Sequence, residues 1–154
     1  MIRKALGTII GGVLALVFVA FVPHARADAA NQASQLTFNQ PVELPDNHVL
    51  PAGTYWFLAP DTINSGQTIE VFNADRTQLL ATVETIPTQR LNATDDTQLT
   101  FGRVFNRPLI LMSWFYPGEV VGHQFIYSPQ QESQLSEGSR ITVTAASGSA
   151  VSVG

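Results

Sequence analysis

Residues 109–127, LILMSWFYPGEVVGHQFIY, decide the fold class of this chain. From residue 109 to residue 115, apolar side chains occupy both faces of the alternating pattern, which predicts a central strand in a sheet. Pro117 and Gly118 are a turn signal, and residues 122–127 are the next strand candidate. The segment therefore predicts two β-strands separated by a turn.

The same period of two extends through most of the chain, and no stretch of about 11 or more residues shows a helical stripe. Segments rich in Val, Ile, Thr and aromatic residues are predicted as strands. They are residues 35–38, 54–59, 68–73, 79–86, 97–103, 109–116, 122–127, 140–145 and 150–153. With turn signals between them, they predict a single all-β domain over residues 35–154, folded as a β-sandwich of about eight or nine short antiparallel strands. A β-barrel is the alternative.

Three segments do not show a clear strand pattern. Residues 28–34 are small and polar, which predicts a flexible leader before the domain. Residues 129–139 contain the run QQESQ and little that a core would bury, so we expect a solvated loop. The last residues, 147–154, allow either an edge strand or a frayed end.

Residues 1–27 have the three parts of a secretory signal peptide. Two basic residues near the start precede the uncharged residues 5–22, in which Ile, Leu, Val, Phe and Ala dominate. Ala25 and Ala27 form a small-x-small cleavage pattern, which predicts that the mature chain begins at Asp28 and is exported to the periplasm or out of the cell. The alternative is an uncleaved anchor, because about 18 uncharged residues are just long enough to span a bilayer core.

Cleavage would change the charge of the chain. Three of the eight Lys and Arg residues precede the cleavage point, whereas all twelve Asp and Glu residues follow it. The mature domain would carry five arginines, no lysine and twelve carboxylates, which is a formal charge of −7. This charge repels polyanions, so nucleic acid is not expected as a partner. It also offers nothing to anionic lipid headgroups, and we expect no stable membrane insertion after cleavage.

The chain has no cysteine. Disulfides, thiol catalysis and thiolate metal sites are therefore excluded, although an exported protein could have used disulfides. A mature domain of about 127 residues is long enough to depend on one apolar core instead.

The first candidate site is the aromatic segment LPDNHVLPAGTYWF at residues 44–57. A Pro-Ala-Gly turn leads into a strand along which Tyr55 and Phe57 share one face and Trp56 has the other. If its face is free, Trp56 offers a platform for a sugar or an apolar ligand; otherwise these aromatic residues belong to the core. Residues 67–72 alternate as well, and their polar face includes a phenylalanine.

The second candidate site lies at residues 114–127, where aromatic strand ends flank the Pro-Gly turn. Trp114, Tyr116 and His123 are candidate ligand-binding residues here. Glu119 and His123 could instead be the proton-transfer pair of a small hydrolase or isomerase. The chain has no Gly-x-Ser-x-Gly nucleophile motif, and we assign no catalytic residue.

Two groups of residues have metal-binding chemistry without the spacing of a metal site. Asp95 and Asp96 lack the glycine and the late glutamate of a calcium loop, so a turn before the next strand explains them better. His48 and His123 are far apart in sequence and have no neighbouring histidine. We therefore predict no metal site and no cofactor, and Asp95 and Asp96 remain alternative acids for an enzyme.

Several motifs together resemble a group of known proteins. FxxPVELP begins at residue 38, LPAGTY at residue 50, WFYPG at residue 114 and GxxFxY at residue 122. The pattern resembles small exported proteins of unknown function from acidobacteria and similar soil bacteria. The resemblance implies a signal peptide and a β domain, and it implies no activity and no functional residues.

These observations predict an exported, non-enzymatic β-sandwich module of unknown role that acts in binding or at the cell envelope, with a glycan or another envelope component as the kind of partner considered. One alternative is a carbohydrate-binding module that uses exposed Trp56 or Trp114. The other is a small hydrolase or isomerase that uses Glu119 and His123. Solvent exposure of the two tryptophans tests the first alternative, and a cleft that brings His123 to an acid would favour the second.

Overall fold

The computed structural model describes residues 32–60, 67–145 and 150–151, which form an all-β sandwich. These ranges contain eleven strands, one α-helix and a 3₁₀ turn at Pro45–Asn47. The elements are β1 (Gln32–Phe38), β2 (Val42–Glu43), β3 (Val49–Leu50), β4 (Gly53–Ala59), β5 (Thr68–Asn73), β6 (Leu79–Gln89), β7 (Thr97–Arg103), β8 (Leu109–Phe115), β9 (Val121–Phe125), α1 (Pro129–Glu137), β10 (Ser139–Ala145) and β11 (Ala150–Val151). The predicted fold class is confirmed.

The strands follow the order β10-β7-β8-β9-β6-β5-β4-β1-β11, and β6 belongs to both layers of the sandwich. Residues 79–84 of β6 pair with β5, whereas residues 85–89 pair with β9. Sheet A therefore contains β11, β1, β4, β5 and the first half of β6. Sheet B contains the second half of β6 with β9, β8, β7 and β10, and the short strands β2 and β3 join it because β2 pairs with β8 and with β3. Among the described strands, β10 and β11 lie at the two ends of the order and do not pair with each other, so the sheet is not a closed barrel.

The core lies between the two sheets. Phe57 of sheet A and Trp114 of sheet B are both fully buried, with ring centroids 6.3 Å apart. Phe38 and Phe101 make a second contact between the sheets at 6.2 Å. Burial of each such side chain contributes about 1.5–3 kcal/mol to stability. Strand β8 is central, as its apolar pattern predicts, because it pairs with both β7 and β9.

Helix α1 lies within residues 129–139, so the prediction of a solvated loop there is wrong. Ser128 and Gln131 form a capping box, and a proline occupies the first turn of the helix. Leu135 is the one buried residue of the helix, which agrees with the polar composition of the segment. It packs on Gly102 of sheet B, where an added Cβ would overlap its side chain.

Four polar side chains hold α1 on the outer face of sheet B. Glu43 in β2 is buried, forms an ion pair with Arg107 and accepts a hydrogen bond from Gln131 Nε2 at 3.2 Å. Arg107 also donates to Gln134 of the helix. Burial also raises the pKa of Tyr127, so its hydroxyl stays protonated and donates to the Leu111 carbonyl at 2.6 Å, with the Glu43 carbonyl 3.3 Å away. We call Glu43, Arg107, Gln131 and Gln134 the helix clamp.

Some predicted boundaries differ from those observed. Strand β1 begins at Gln32, inside the predicted leader 28–34, because its first residues pair with the end of β4. Strand β6 continues beyond residue 86, because its last residues pair with β9. The short strands β2 and β3 were not predicted. The signal peptide prediction and the last part of the strand prediction 150–153 lie outside the described residues.

Within the described ranges, no helix has both the length and the apolar character needed to cross a membrane.

Candidate functional site

The outer face of sheet A carries two partly exposed aromatic residues on neighbouring strands. Trp56 of β4 lies opposite Phe72 of β5. On either side of this pair, Gln35 of β1 lies opposite Trp56, and Leu79 of β6 lies opposite Phe72. Trp56 and Phe72 are half-buried, and Leu79 is 49% exposed. We call these four residues the Trp56 row.

The alternation of β4 explains why Trp56 faces outward. Phe57 is fully buried in the core, and Tyr55 is buried with its hydroxyl donating to the Pro51 carbonyl at 2.8 Å. Burial raises the pKa of Tyr55, which keeps this donor protonated. Successive side chains of a strand point to opposite faces, so Trp56 is left on the outer face. The predicted separation of Trp56 from Tyr55 and Phe57 is confirmed.

The turn between β5 and β6 fixes the position of Trp56. The indole Nε1 donates to the carbonyl of Ala74 at 3.0 Å, and the guanidinium carbon of Arg76 lies 3.6 Å from the ring centroid. Asn73 organises this turn, because its side-chain oxygen accepts a hydrogen bond from the backbone N–H of Thr77 at 2.8 Å. Arg76 has a left-handed backbone, with φ of 55°. The same turn therefore holds both the indole and the cation.

Two members of this surface were missed by sequence reasoning, namely Phe72 and Arg76. The position of Phe72 on the polar face of its strand was a usable signal, because a large apolar residue there is either covered or exposed for binding. The turn signal at Asn73 was another, since it places Arg76 at the same end of the sheet as Phe72.

His123 lies inside the sandwich, at an end where the interior is polar. Its ring stacks on Trp114 with centroids 5.3 Å apart. Its Nδ1 shares a hydrogen bond with Thr85 Oγ1, and its Nε2 shares one with Gln32 Oε1 of the facing sheet, each 3.2 Å long. Desolvation by burial lowers the pKa of His123. The ring is therefore neutral at pH 7, with one nitrogen donating and the other accepting.

Trp114 is fully buried, so it cannot be a surface platform for a glycan, and that prediction is wrong. Leu99 of β7 and His123 of β9 lie opposite Trp114, and both of them are buried. The Trp114 side chain therefore shares the inward face of sheet B with them. Among the described residues no atom accepts a hydrogen bond from the Trp114 Nε1. Of the two tryptophans, only Trp56 reaches the surface.

The Pro-Gly turn does not assemble the proposed proton-transfer pair. Glu119 is exposed, and within the described part of the chain the hydrogen bonds of His123 go to no acid. Arg90 organises this turn instead, donating to the carbonyl of Glu119 at 2.8 Å, to the carbonyl of Tyr116 at 3.2 Å and to the hydroxyl of Thr94 at 2.8 Å. Tyr116 is half-buried and packs against the core. It does not form an open aromatic surface with Trp56.

The residues considered for metal binding lie apart from one another. Asp95 is exposed and Asp96 is half-buried in the loop before β7, and His48 is exposed near β3. In the ranges that the structure describes, no three His, Asp or Glu side chains are grouped so that they could hold a metal ion.

Two clefts flank α1. The first, of about 270 Å³, is lined by Met112, Leu135 and Arg140, among others. The second, of about 580 Å³, lies beside Phe105, which is 89% exposed at the β7–β8 turn. Arg107 lines the second cleft, but its guanidinium is already bonded within the helix clamp. Neither cleft presents two partly exposed aromatic side chains next to each other, as the Trp56 row does, so the row is the better candidate.

Comparison with known protein families, with curated proteins and with solved structures finds no match to this chain.

Proposed function

We propose that this chain is an exported, non-enzymatic β-sandwich module that binds glycans on the outer face of sheet A. The observation that carries the proposal is the pairing of Trp56 with Phe72 on adjacent strands, both half-buried on an outer face. Directly opposite residues on paired strands have Cβ atoms about 4.5–5.5 Å apart. The C–H face of one pyranose ring can contact two aromatic side chains at this spacing.

Polar side chains beside the row suit the hydroxyl groups at the edge of a sugar. Thr37 and Thr54 lie on one side of the row, with their hydroxyls 2.8 Å apart. Glu70 and Thr82 lie opposite each other on the other side. Their donors and acceptors surround the apolar strip formed by the aromatic pair. Sugars need this combination, because they present C–H groups on their faces and hydroxyls at their edges.

Arg76 covers part of Trp56, and the ligand has to displace it. The side chain is exposed, and an exposed cation–π contact contributes only about 0.5–1 kcal/mol. Contact of a sugar ring with both aromatic residues buries more surface than this contact does. We therefore expect Arg76 to move aside at small cost when the face is occupied.

The exported location is supported by the signal-peptide pattern of residues 1–27 and by the resemblance to small exported bacterial proteins. A module outside the cytoplasm meets the glycans of the cell envelope and of the medium. This location agrees with a binding role for the Trp56 row.

Titration calorimetry with chitohexaose, cellohexaose and xylohexaose tests the proposal. We expect binding of at least one of them, and a loss of affinity of about tenfold or more in Trp56→Ala. Truncation of a stacking aromatic residue costs about 1.5 kcal/mol or more, and 1.4 kcal/mol corresponds to tenfold. Ligand should also change the fluorescence of the wild type but not of Trp56→Phe, in which buried Trp114 is the remaining tryptophan.

Ile86→Ala is the matched control, because Ile86 is 45% exposed and lies in the half of β6 that belongs to sheet B. Its affinity should equal that of the wild type. Far-UV circular dichroism shows whether each variant is folded. Binding that is unchanged in folded Trp56→Ala, or reduced equally in Ile86→Ala, would refute the proposed site.

A further inference from the structure

The side chain of Arg76 has hydrogen-bonding capacity that the protein leaves unused. Its backbone N–H donates to the carbonyl of Asn73 at 3.0 Å, and its guanidinium contacts the ring of Trp56. Within the described ranges the guanidinium has no hydrogen bond and no ion pair. An arginine that rests on an aromatic ring with its N–H groups unpaired is available to a carboxylate.

The backbone of the turn holds this arginine in place. Asn73 Oδ1 accepts from the N–H groups of Thr77 and Gln78 at 2.8 and 3.1 Å, and Asn73 Nδ2 donates to the Thr77 hydroxyl at 2.9 Å. The N–H of Asn73 in turn donates to the Gln78 carbonyl at 3.0 Å. Because the turn is closed by these bonds, the Cα of Arg76 stays beside the Trp56 row while the long side chain can move.

Carboxylates elsewhere on the face limit the charge of a ligand. Glu70 lies in the next row of sheet A, Glu84 lies one row further, and Asp75 precedes Arg76 in the turn. Like charges close together disfavour binding, so a glycan with a carboxylate on every sugar would meet repulsion beyond the row. One carboxylate beside Arg76, where the guanidinium offsets Asp75, and a neutral sugar beside Glu70 avoid the repulsion from Glu70 and Glu84.

We infer that the Trp56 row binds a glycan in which a carboxylated sugar alternates with a neutral one, with the carboxylate paired to the guanidinium of Arg76. This inference rests on the proposed function and names its ligand class. When the sugar occupies the Trp56 ring, Arg76 exchanges its ring contact for a two-point hydrogen bond to the carboxylate. The carboxylate can belong to a uronic acid or to the lactyl ether of a muramic acid.

Calorimetry with three probes tests this. The probes are a hyaluronan hexasaccharide, in which glucuronate alternates with N-acetylglucosamine, a tetrasaccharide of N-acetylglucosamine and N-acetylmuramic acid, and neutral chitohexaose. We expect at least one carboxylated probe to bind about tenfold more tightly than chitohexaose at low salt. The tighter of the two carboxylated probes identifies the source of the carboxylate. Arg76→Gln should remove this preference, and it should raise chitohexaose affinity by about two- to fivefold, because the sugar no longer has to displace the guanidinium from the Trp56 ring.

Arg140→Gln makes the same change of net charge at an exposed arginine on β10, and it should keep the preference. Loss of the preference in Arg140→Gln as well would overturn the inference, because the effect would then be one of total charge. Chitohexaose bound as tightly as both carboxylated probes, with Trp56→Ala abolishing binding, would overturn it and leave the proposed function standing. Absence of binding to these three probes would overturn the inference, and absence of binding to cellohexaose and xylohexaose as well would overturn the proposed function.

Discussion

Removal of Arg107 should destabilise the fold through the helix clamp. The Glu43 side chain is 3% exposed, and in the described part of the chain Arg107 is its one ionic partner. Arg107→Gln leaves the carboxylate buried with the amide of Gln131 as its remaining side-chain donor. Breaking a buried pair in this way costs about 3–5 kcal/mol. Because the Arg107 side chain is 23% exposed and water can reach the pair, we expect a value near the lower end, about 3 kcal/mol.

The partner variant should cost less. Glu43→Gln keeps an acceptor for Gln131 and leaves the charge on Arg107, which water can partly solvate. We expect a loss of about 1 kcal/mol. In the double variant no buried charge is left, so its loss should be about 2 kcal/mol, smaller than that of Arg107→Gln alone. The interaction energy of the double-mutant cycle is then about 2 kcal/mol.

Urea unfolding, followed by far-UV circular dichroism and by the fluorescence of buried Trp114, measures these differences. For a domain of this size, a loss of about 3 kcal/mol should also lower Tm by roughly 10 °C. Hydrogen exchange should accelerate more in α1 than in β8, because the helix buries little apolar surface of its own. A cost below about 1 kcal/mol for Arg107→Gln, or losses that simply add in the double variant, would refute the reasoning.

Two further predictions concern sheet B. Gly122→Ala should cost about 2–3 kcal/mol, because its Cβ would lie 2.7 Å from Phe115 Cγ and from the Trp114 carbonyl oxygen. Gly118→Ala, with open space but φ of 81°, should cost only about 1 kcal/mol, and equal losses in urea unfolding would contradict this. Because burial lowers the pKa of His123, the unfolded chain binds a proton more readily, so stability should fall as pH drops below about 6.5. His123→Gln should reduce that slope between about pH 7.5 and 5.5, and an unchanged slope would count against it.

The orientation of the candidate site follows from sequence, whereas its composition does not. The alternation of Tyr55, Trp56 and Phe57 predicts that the indole faces away from the other two rings, and the structure confirms it. That Phe72 stands beside Trp56 depends on the register of β4 against β5. A shift of one residue in the pairing of β4 with β5 would move the Phe72 side chain to the other face of the sheet. The local sequence of either strand does not specify that pairing.

For Trp114, the sequence pattern does not predict even the orientation of the side chain. Strand β8 is apolar on both faces, so alternation cannot say which face meets the core and which is covered from outside. Phe115, on the outer face, is buried because it packs on Gly122 and lies beneath Arg90 at 5.2 Å. The covering groups come from other strands and loops, and a local pattern contains no information about them.

Helix α1 was mispredicted for a related reason. Its composition indicates little apolar burial, and Leu135 is indeed its one buried residue. The capping box formed by Ser128 and Gln131 is visible in the sequence as a helix start signal. The ion pair that anchors the helix is not visible there, because it joins Glu43 to Arg107, which are 64 positions apart. Polar segments become ordered when distant charges supply the bonds that apolar contacts would otherwise supply.

The two outer faces of the sandwich differ in a way that bears on function. On sheet B, α1 and Arg90 cover part of the outer face, and the aromatic residue Phe115 there is buried. On sheet A, Trp56 and Phe72 stay half-buried, with Arg76 over part of the Trp56 ring. A face that keeps aromatic surface in water forgoes stability that burial would give, and such patches commonly mark binding sites. Stability and binding should therefore separate, so that Arg107→Gln weakens the fold without changing affinity at Trp56.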